Sequence, residues 1–340
     1  MPKPKENFIR LMKNDNPSWL GDPWSCFVQN PAFRPCVFDA VTLTGGSPMP
    51  GDPPKKDRWG VTWEFPLGQP GGFPIVNDET KVLKDIHAWR EVINFDNLPP
   101  AEALPWQAVY GLSPTLDVDR ETLLVMCPSF QGMFEFSHNL MGFEDALVAY
   151  LEEPEEMYAM LSTYTDWKIR AYDMVIDHLH PDIIHSHDDW GSKTQLFLPP
   201  TVWRESIKPH YARFYAHIKE RGLYIQHHND SVSDVIAKDM AEIGIDMWQG
   251  VIPQNNIPGI IEATEGKLCV MGGIDMQLID FEGAKEADVR AHIRSVIDRY
   301  MPLGSFIPCV PNIFPIHQDV AGWINDELNT YGAEYAAKYF

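Results

Sequence analysis

Leu223-Tyr224-Ile225-Gln226-His227-His228-Asn229-Asp230 reads as a short strand whose far end turns polar. Side chains alternate along a strand, so His228 and Asp230 share one face and His227 takes the other. Gly222 stops the helix before it, and a helix is predicted over 231–243 after it. The unit then repeats: strand 246–249, helix near 257–264, strand 267–271, helix 284–300, strand 305–309 and a last helix near 317–329. Upstream, Thr122–Cys127 and Asp182–His187 read as strands, separated by a helix that opens at Pro154. Met157, Met160, Leu161, Tyr164, Ala171, Met174, Val175 and Leu179 give that helix its core-facing stripe. A further helix opens at Pro199-Pro200-Thr201 and is bent or shifted by Pro209.

Alternation of this density implies parallel strands with crossover helices. There are at least six such units, and no Gly-x-Gly-x-x-Gly or Walker motif accompanies them. The expected fold is α/β, a single (β/α)8 TIM-type barrel over 1–340. Residues 1–120 form a loop-rich N-terminal extension, punctuated by Gly45-Gly46, Pro53-Pro54, Pro70-Gly71-Gly72 and Pro99-Pro100. Chemistry in such barrels sits at the C-terminal ends of the strands, which is where His228, Asp230 and Cys309 are expected.

The 340 residues carry 27 Lys and Arg against 48 Asp and Glu, a formal net charge of −21. A surface that acidic disfavours nucleic acid and anionic membranes as partners, since both require a basic footprint. Five cysteines (Cys26, Cys36, Cys127, Cys269, Cys309) form no close pair, which suggests a reducing compartment with free or metal-bound thiols. Met1-Pro2-Lys3-Pro4-Lys5-Glu6-Asn7 lacks the apolar centre of a signal peptide, and no stretch is apolar enough to span a bilayer. The expectation is a cytoplasmic protein.

A His and a carboxylate on one strand face, with Cys269 and Cys309 in later strand-like runs, are competent metal ligands. That donor set suits Zn²⁺ better than a hard oxygen-seeking ion such as Mg²⁺. The same residues also fit a hydrogen-bonded strand-end His, an Asp that caps the next helix and two small buried hydrophobes. His185, His187 and Asp189 share one parity on the preceding strand. Asp189 is a candidate catalytic acid, or a carboxylate that caps its loop.

The chain resembles the uroporphyrinogen decarboxylase superfamily through an ordered series of short motifs. These are Phe130-Gln131-Gly132-Met133-Phe134-Glu135, Met141-Gly142-Phe143-Glu144, Glu153-Pro154-Glu155-Glu156, His187-Asp188-Asp189-Trp190-Gly191-Ser192-Lys193, Leu198-Pro199-Pro200-Thr201-Val202-Trp203, Gly244-Ile245-Asp246 and Met271-Gly272-Gly273-Ile274-Asp275. The resemblance implies one of two chemistries: cofactor-free decarboxylation of a porphyrinogen, or zinc-dependent methyl transfer to or from a corrinoid. Decarboxylases carry an Arg-rich segment near the N-terminus, whereas Pro23-Trp24-Ser25-Cys26-Phe27-Val28 holds no basic residue. The methyltransferase branch places a His, a Cys two residues on and a late Cys on zinc; here those positions are His228, Asp230 and Cys309. Asp230 in place of Cys removes a thiolate and favours polarising an oxygen over activating a thiol. Cys269 is a candidate fourth ligand, and Asp189 matches the family acid.

Asp57-Arg58-Trp59-Gly60-Val61-Thr62-Trp63-Glu64 resembles the methyltransferases that begin O-demethylation. The implied reaction moves methyl from a methoxylated small molecule, often aromatic, to the Co(I) corrinoid (cobalamin) of a partner corrinoid protein. The competing readings are a metal-free decarboxylase-like lyase and a non-catalytic barrel that binds a corrinoid or tetrapyrrole. A homodimer stays open as an assembly.

Overall fold

The structure is a computed structural model that describes residues 3–15, 19–29, 37, 41, 48–69, 71–106, 118–311 and 317–339. Cys36, Gly45-Gly46, Pro70 and Pro315 lie outside the described residues, as do Met1 and Pro2. Strands β1 (Lys55–Lys56), β2 (Thr62–Glu64) and β3 (Phe73–Pro74) make a small antiparallel sheet in the N-terminal extension. The body is a parallel sheet of β4 (Met126–Ser129), β5 (Ile183–His187), β6 (Tyr224–His228), β7 (Met247–Val251), β8 (Cys269–Gly273) and β9 (Phe306–Cys309), paired in chain order. Sequential parallel order with a helical crossover between neighbours is the barrel arrangement, as the strand–helix rhythm predicts.

Among the described residues the parallel sheet has six ladder-paired strands, not eight. The N-terminal segment occupies the space between β4 and β9. Phe27 bridges Leu124 in parallel, and the 3₁₀ turn Pro23–Cys26 packs against β9. The amide of Val28 donates to the Leu124 carbonyl, and that of Leu124 donates to the Cys26 carbonyl, both at 2.9 Å.

Two apolar layers follow from the period-2 alternation. Inward residues Met126, Ile183, Met247, Cys269, Met271 and Ile307 pack with Phe27 and with Phe8, Leu11 and Met12 of the helix Pro4–Met12. Outward residues Ile184, Ile225, Trp248 and Val270 pack in the larger core beneath the crossover helices. Each fully buried Ile or Met contributes about 1.5–3 kcal/mol, so a one-residue slip of any strand would be prohibitive.

The helix Pro154–Leu179 buries the predicted stripe, with Met174 only half-buried. Pro209 breaks its helix outright instead of bending it. One piece runs Pro200–Ser206, and a second, Lys208–Glu220, starts with the proline in its first turn, where the missing N–H is harmless. The predicted helix 231–243 is only a 3₁₀ turn Asp234–Ile236 followed by Ala237–Glu242, because Ser231 and Ser233 join side-chain hydrogen bonds with Asn229 and Asn255. The last helix runs on to Tyr339. No described helix is long and apolar enough to cross a membrane.

Candidate metal centre

Strand register puts the inward side chains in tiers. His185, Gln226, Met247 and Cys269 occupy one level, with His187, His228, Gln249, Met271 and Ile307 on the next. Asp189 and Asp230 follow just past the ends of β5 and β6. The upper end of β5 and β6 therefore collects ligating groups. His187, Asp189 and His228 each offer an atom within 4.8 Å of the other two, and among the described residues no other group of three or more His, Cys, Asp or Glu does so.

Both imidazoles are oriented from behind. Gln249 Nε2 donates to the carbonyls of Val310 and Pro311, which turns its amide oxygen toward His228 Nδ1. An amide oxygen only accepts, so His228 carries its proton on Nδ1 and keeps the Nε2 lone pair free. His187 Nδ1 lies 2.7 Å from Glu135 Oε1, which leaves its Nε2 as the candidate ligating atom. A carboxylate or amide behind each ligating imidazole is the usual outer shell of a metal site. Asp189 Oδ1 accepts the Asp230 amide at 3.1 Å, which fixes that carboxylate in turn.

Glu135 owes its position to Asp188 and Gly132. Asp188 is fully buried and accepts the amides of Phe134 and Glu135 at 3.0 and 2.9 Å, capping the helix Met133–Met141. Trp190 Nε1 and the Tyr211 hydroxyl donate to the same carboxylate, each at 2.8 Å. Gly132 sits so close that a Cβ there would fall 2.1 Å from Asp188 Cβ and 2.4 Å from the Tyr211 oxygen. No side chain fits, which is why a glycine opens this helix.

The electrostatics are those of a crowded acidic pocket. Burial alone would pull His187 down, but Glu135, with Asp189 and Asp188, holds it up at about 10, so a metal ion at Nε2 would have to displace a proton. His185, one tier lower, is depressed to about 3 by burial and by His228. Burial pushes Asp189 up; His187 and His228 pull against that push while Asp230 adds to it. Burial also lifts Asp188, to about 7, with Glu135 contributing. Such a cluster of carboxylates around two imidazoles gains by taking up a cation.

The predicted site residues separate accordingly. His228 and Asp189 come together, and His187 joins them from the neighbouring strand. Asp230 lies beside Asp189 but outside the cluster. Cys269 is not brought to it: the thiol opens β8 one tier below His228, about 6.6 Å down the strand. Cys309 faces inward at the end of β9, three strands from β6, and its thiol donates to the Val310 carbonyl at 3.1 Å. Burial pushes both thiols well up, Cys309 further through Asp22. Glu135 and Gln249 had no role in the sequence reading. Gln249 carried a signal nonetheless, as a polar residue of inward parity in an apolar strand.

Two imidazoles and one carboxylate are a donor set that fits catalytic Zn²⁺, which takes three protein ligands and leaves one position for water or substrate. The same donor set is used by iron(II).

A β/α barrel with a ligating cluster at the strand ends is the class defined by fold and site. The family model for uroporphyrinogen decarboxylase (URO-D) matches residues 64–307, and the chain belongs to that family. Among solved structures it is similar to a methyltransferase from Methanosarcina mazei, at 10% sequence identity and a TM-score of 0.61, over 98% of this chain and 100% of that one. No curated protein matches the sequence.

Proposed function

We propose that this barrel is a zinc-dependent methyltransferase that moves a methyl group from a methoxylated small molecule, an aromatic methyl ether, to the Co(I) corrinoid of a separate partner protein. The observation that carries the reading is the meeting of His187, Asp189 and His228 at the C-terminal strand ends. Membership of the URO-D family supports it, as does the likeness to a protein described as a methyltransferase.

An aryl or alkyl methyl ether is a weak electrophile because its leaving oxygen is basic. Transfer of the methyl group to the partner's Co(I), whose electron pair would make the new bond, would leave the C–O pair on the departing oxygen. His187 Nε2, His228 Nε2 and Asp189 would hold the metal, which supplies Lewis-acid stabilisation of that oxygen. Glu135 and Gln249 keep both imidazoles in the ligating tautomer throughout. Asp230, half-buried beside Asp189, would help hold that carboxylate through its backbone amide, and the released oxygen would take its proton from water. In-line alignment of the donor oxygen, the methyl carbon and the acceptor would carry much of the rate.

The test is turnover with a reduced corrinoid protein and a panel of methoxylated compounds, read as methyl-corrinoid formation. The reading predicts transfer that stops after chelation and returns with zinc. Failure to methylate any corrinoid protein while zinc is bound would remove it, and iron in place of zinc on elemental analysis would redirect it to oxidative chemistry.

A further inference from the structure

Phe130 directly follows β4 and stands at the same barrel mouth as the metal cluster. Its ring centroid lies 5.9 Å from that of His187, tilted by 55°, and the residue is 40% exposed. An aromatic ring left in water beside a ligating imidazole contributes less to the core than a buried one.

The segment that carries it is nevertheless held from several sides. The ammonium of Lys168, itself only 1% exposed, donates to the carbonyls of Phe130 and Gln131 at 3.3 and 3.2 Å. The Tyr164 hydroxyl donates to the Gln131 carbonyl at 2.7 Å, and Gln131 Nε2 donates to Asp57 Oδ2 at 2.9 Å. Asp57 also accepts Trp63 Nε1, which ties the small N-terminal sheet to this segment. Gln131 adopts a φ of +54°, a left-handed conformation that costs a non-glycine residue free energy. Burying a lysine and straining a glutamine to fix one exposed phenylalanine makes sense if the ring has a task at the mouth.

We propose that Phe130 is the specificity-determining contact for the methyl donor, offering a fixed aromatic face beside His187 against which a planar aromatic donor stacks. The assignment rests on the proposed function for the position of the reacting carbon. The contact itself can be tested without methyl transfer.

Covering the exposed part of the ring removes about 80 Å² of apolar surface from water, corresponding to a factor of about 10–30 in affinity. Zinc-loaded protein without any corrinoid partner is titrated calorimetrically with 2-methoxyphenol and, separately, with cyclohexyl methyl ether. The full chain is compared with Phe130→Ala and Phe130→Tyr, with zinc content and thermal midpoint recorded for each. The expected result is a loss of about 10–30-fold for 2-methoxyphenol in Phe130→Ala, recovered to within about threefold in Phe130→Tyr. The saturated ether should bind weakly to all three, with zinc unchanged. Unchanged aromatic affinity in Phe130→Ala, or no binding of 2-methoxyphenol to the unaltered protein, would overturn the assignment. The expected binding pattern together with absent turnover would leave the assignment standing and count against methyl transfer alone.

Discussion

Replacing Gly132 with alanine should damage the fold and the metal centre together. Gly132 has a φ of −64°, so the backbone itself accepts alanine. The obstacle is space: the new methyl would fall 2.1 and 2.2 Å from Asp188 Cβ and Cγ and 2.4 Å from the Tyr211 oxygen. None of these atoms is the free end of a flexible chain, because Asp188 is held by two helix amides, Trp190 and Tyr211. Overpacking costs about 1–3 kcal/mol, and one weakened buried hydrogen bond adds about 1 kcal/mol. At about 2.1 cal/mol/K of unfolding entropy per residue, a total of about 3 kcal/mol lowers Tm by about 4 °C for a chain this long. The helix that must retreat carries Glu135, so the support behind His187 shifts and zinc affinity should fall about 10- to 100-fold. Gly322→Ala is the control: its Cβ meets nothing within 4 Å in the helix Gln318–Tyr339, and alanine there should stabilise by about 0.5–1 kcal/mol. Calorimetric scans and a competitive zinc titration read both effects. A Gly132→Ala protein with unaltered Tm and zinc affinity would refute the reasoning.

Glu327 is buried against Arg294 and Arg290, and although burial pushes its carboxyl up, the two guanidiniums win and hold it below the ordinary range. Its contribution is therefore complete above the unfolded value of about 4.3 and fades as pH falls through the lower folded one. Glu327→Gln should lose about 1–2 kcal/mol at pH 7, tempered by the solvent that reaches both arginines, and show a flatter decline below about pH 5 in urea titrations. Cys269→Ala should keep its zinc and methyl transfer at a cost of about 1–2 kcal/mol in stability, since the thiol packs in the barrel floor; loss of metal would return it to the ligand set. Glu135→Gln should weaken zinc about 10- to 100-fold without unfolding the barrel, and an unchanged affinity by competitive titration would deny Glu135 its supporting role.

The fold was legible because alternation and helix punctuation are local signals. Pro154, Pro200, Gly222 and the inward parity of His185, His187 and His228 could all be read from the chain alone. The full candidate ligand set could not. Height along the barrel axis depends on inter-strand register, and the spacing between Asp230 and Cys269 says nothing about a thiol that opens its strand one tier too low. His187 meets His228 only because β5 and β6 pair those two residues. Glu135 was visible within a motif, yet its approach to His187 depends on Asp188 capping a helix more than fifty residues upstream. Pro23–Phe27 likewise gives no strand signal, although it fills the gap beside β4.

Anomalous diffraction at the zinc edge, from crystals of the protein purified without chelator, tests the central claim most directly. The account predicts one strong peak at about 2.0–2.2 Å from His187 Nε2, His228 Nε2 and an oxygen of Asp189, with one position open to the barrel mouth. A peak seated on Cys309, or no peak in zinc-soaked crystals, would contradict it.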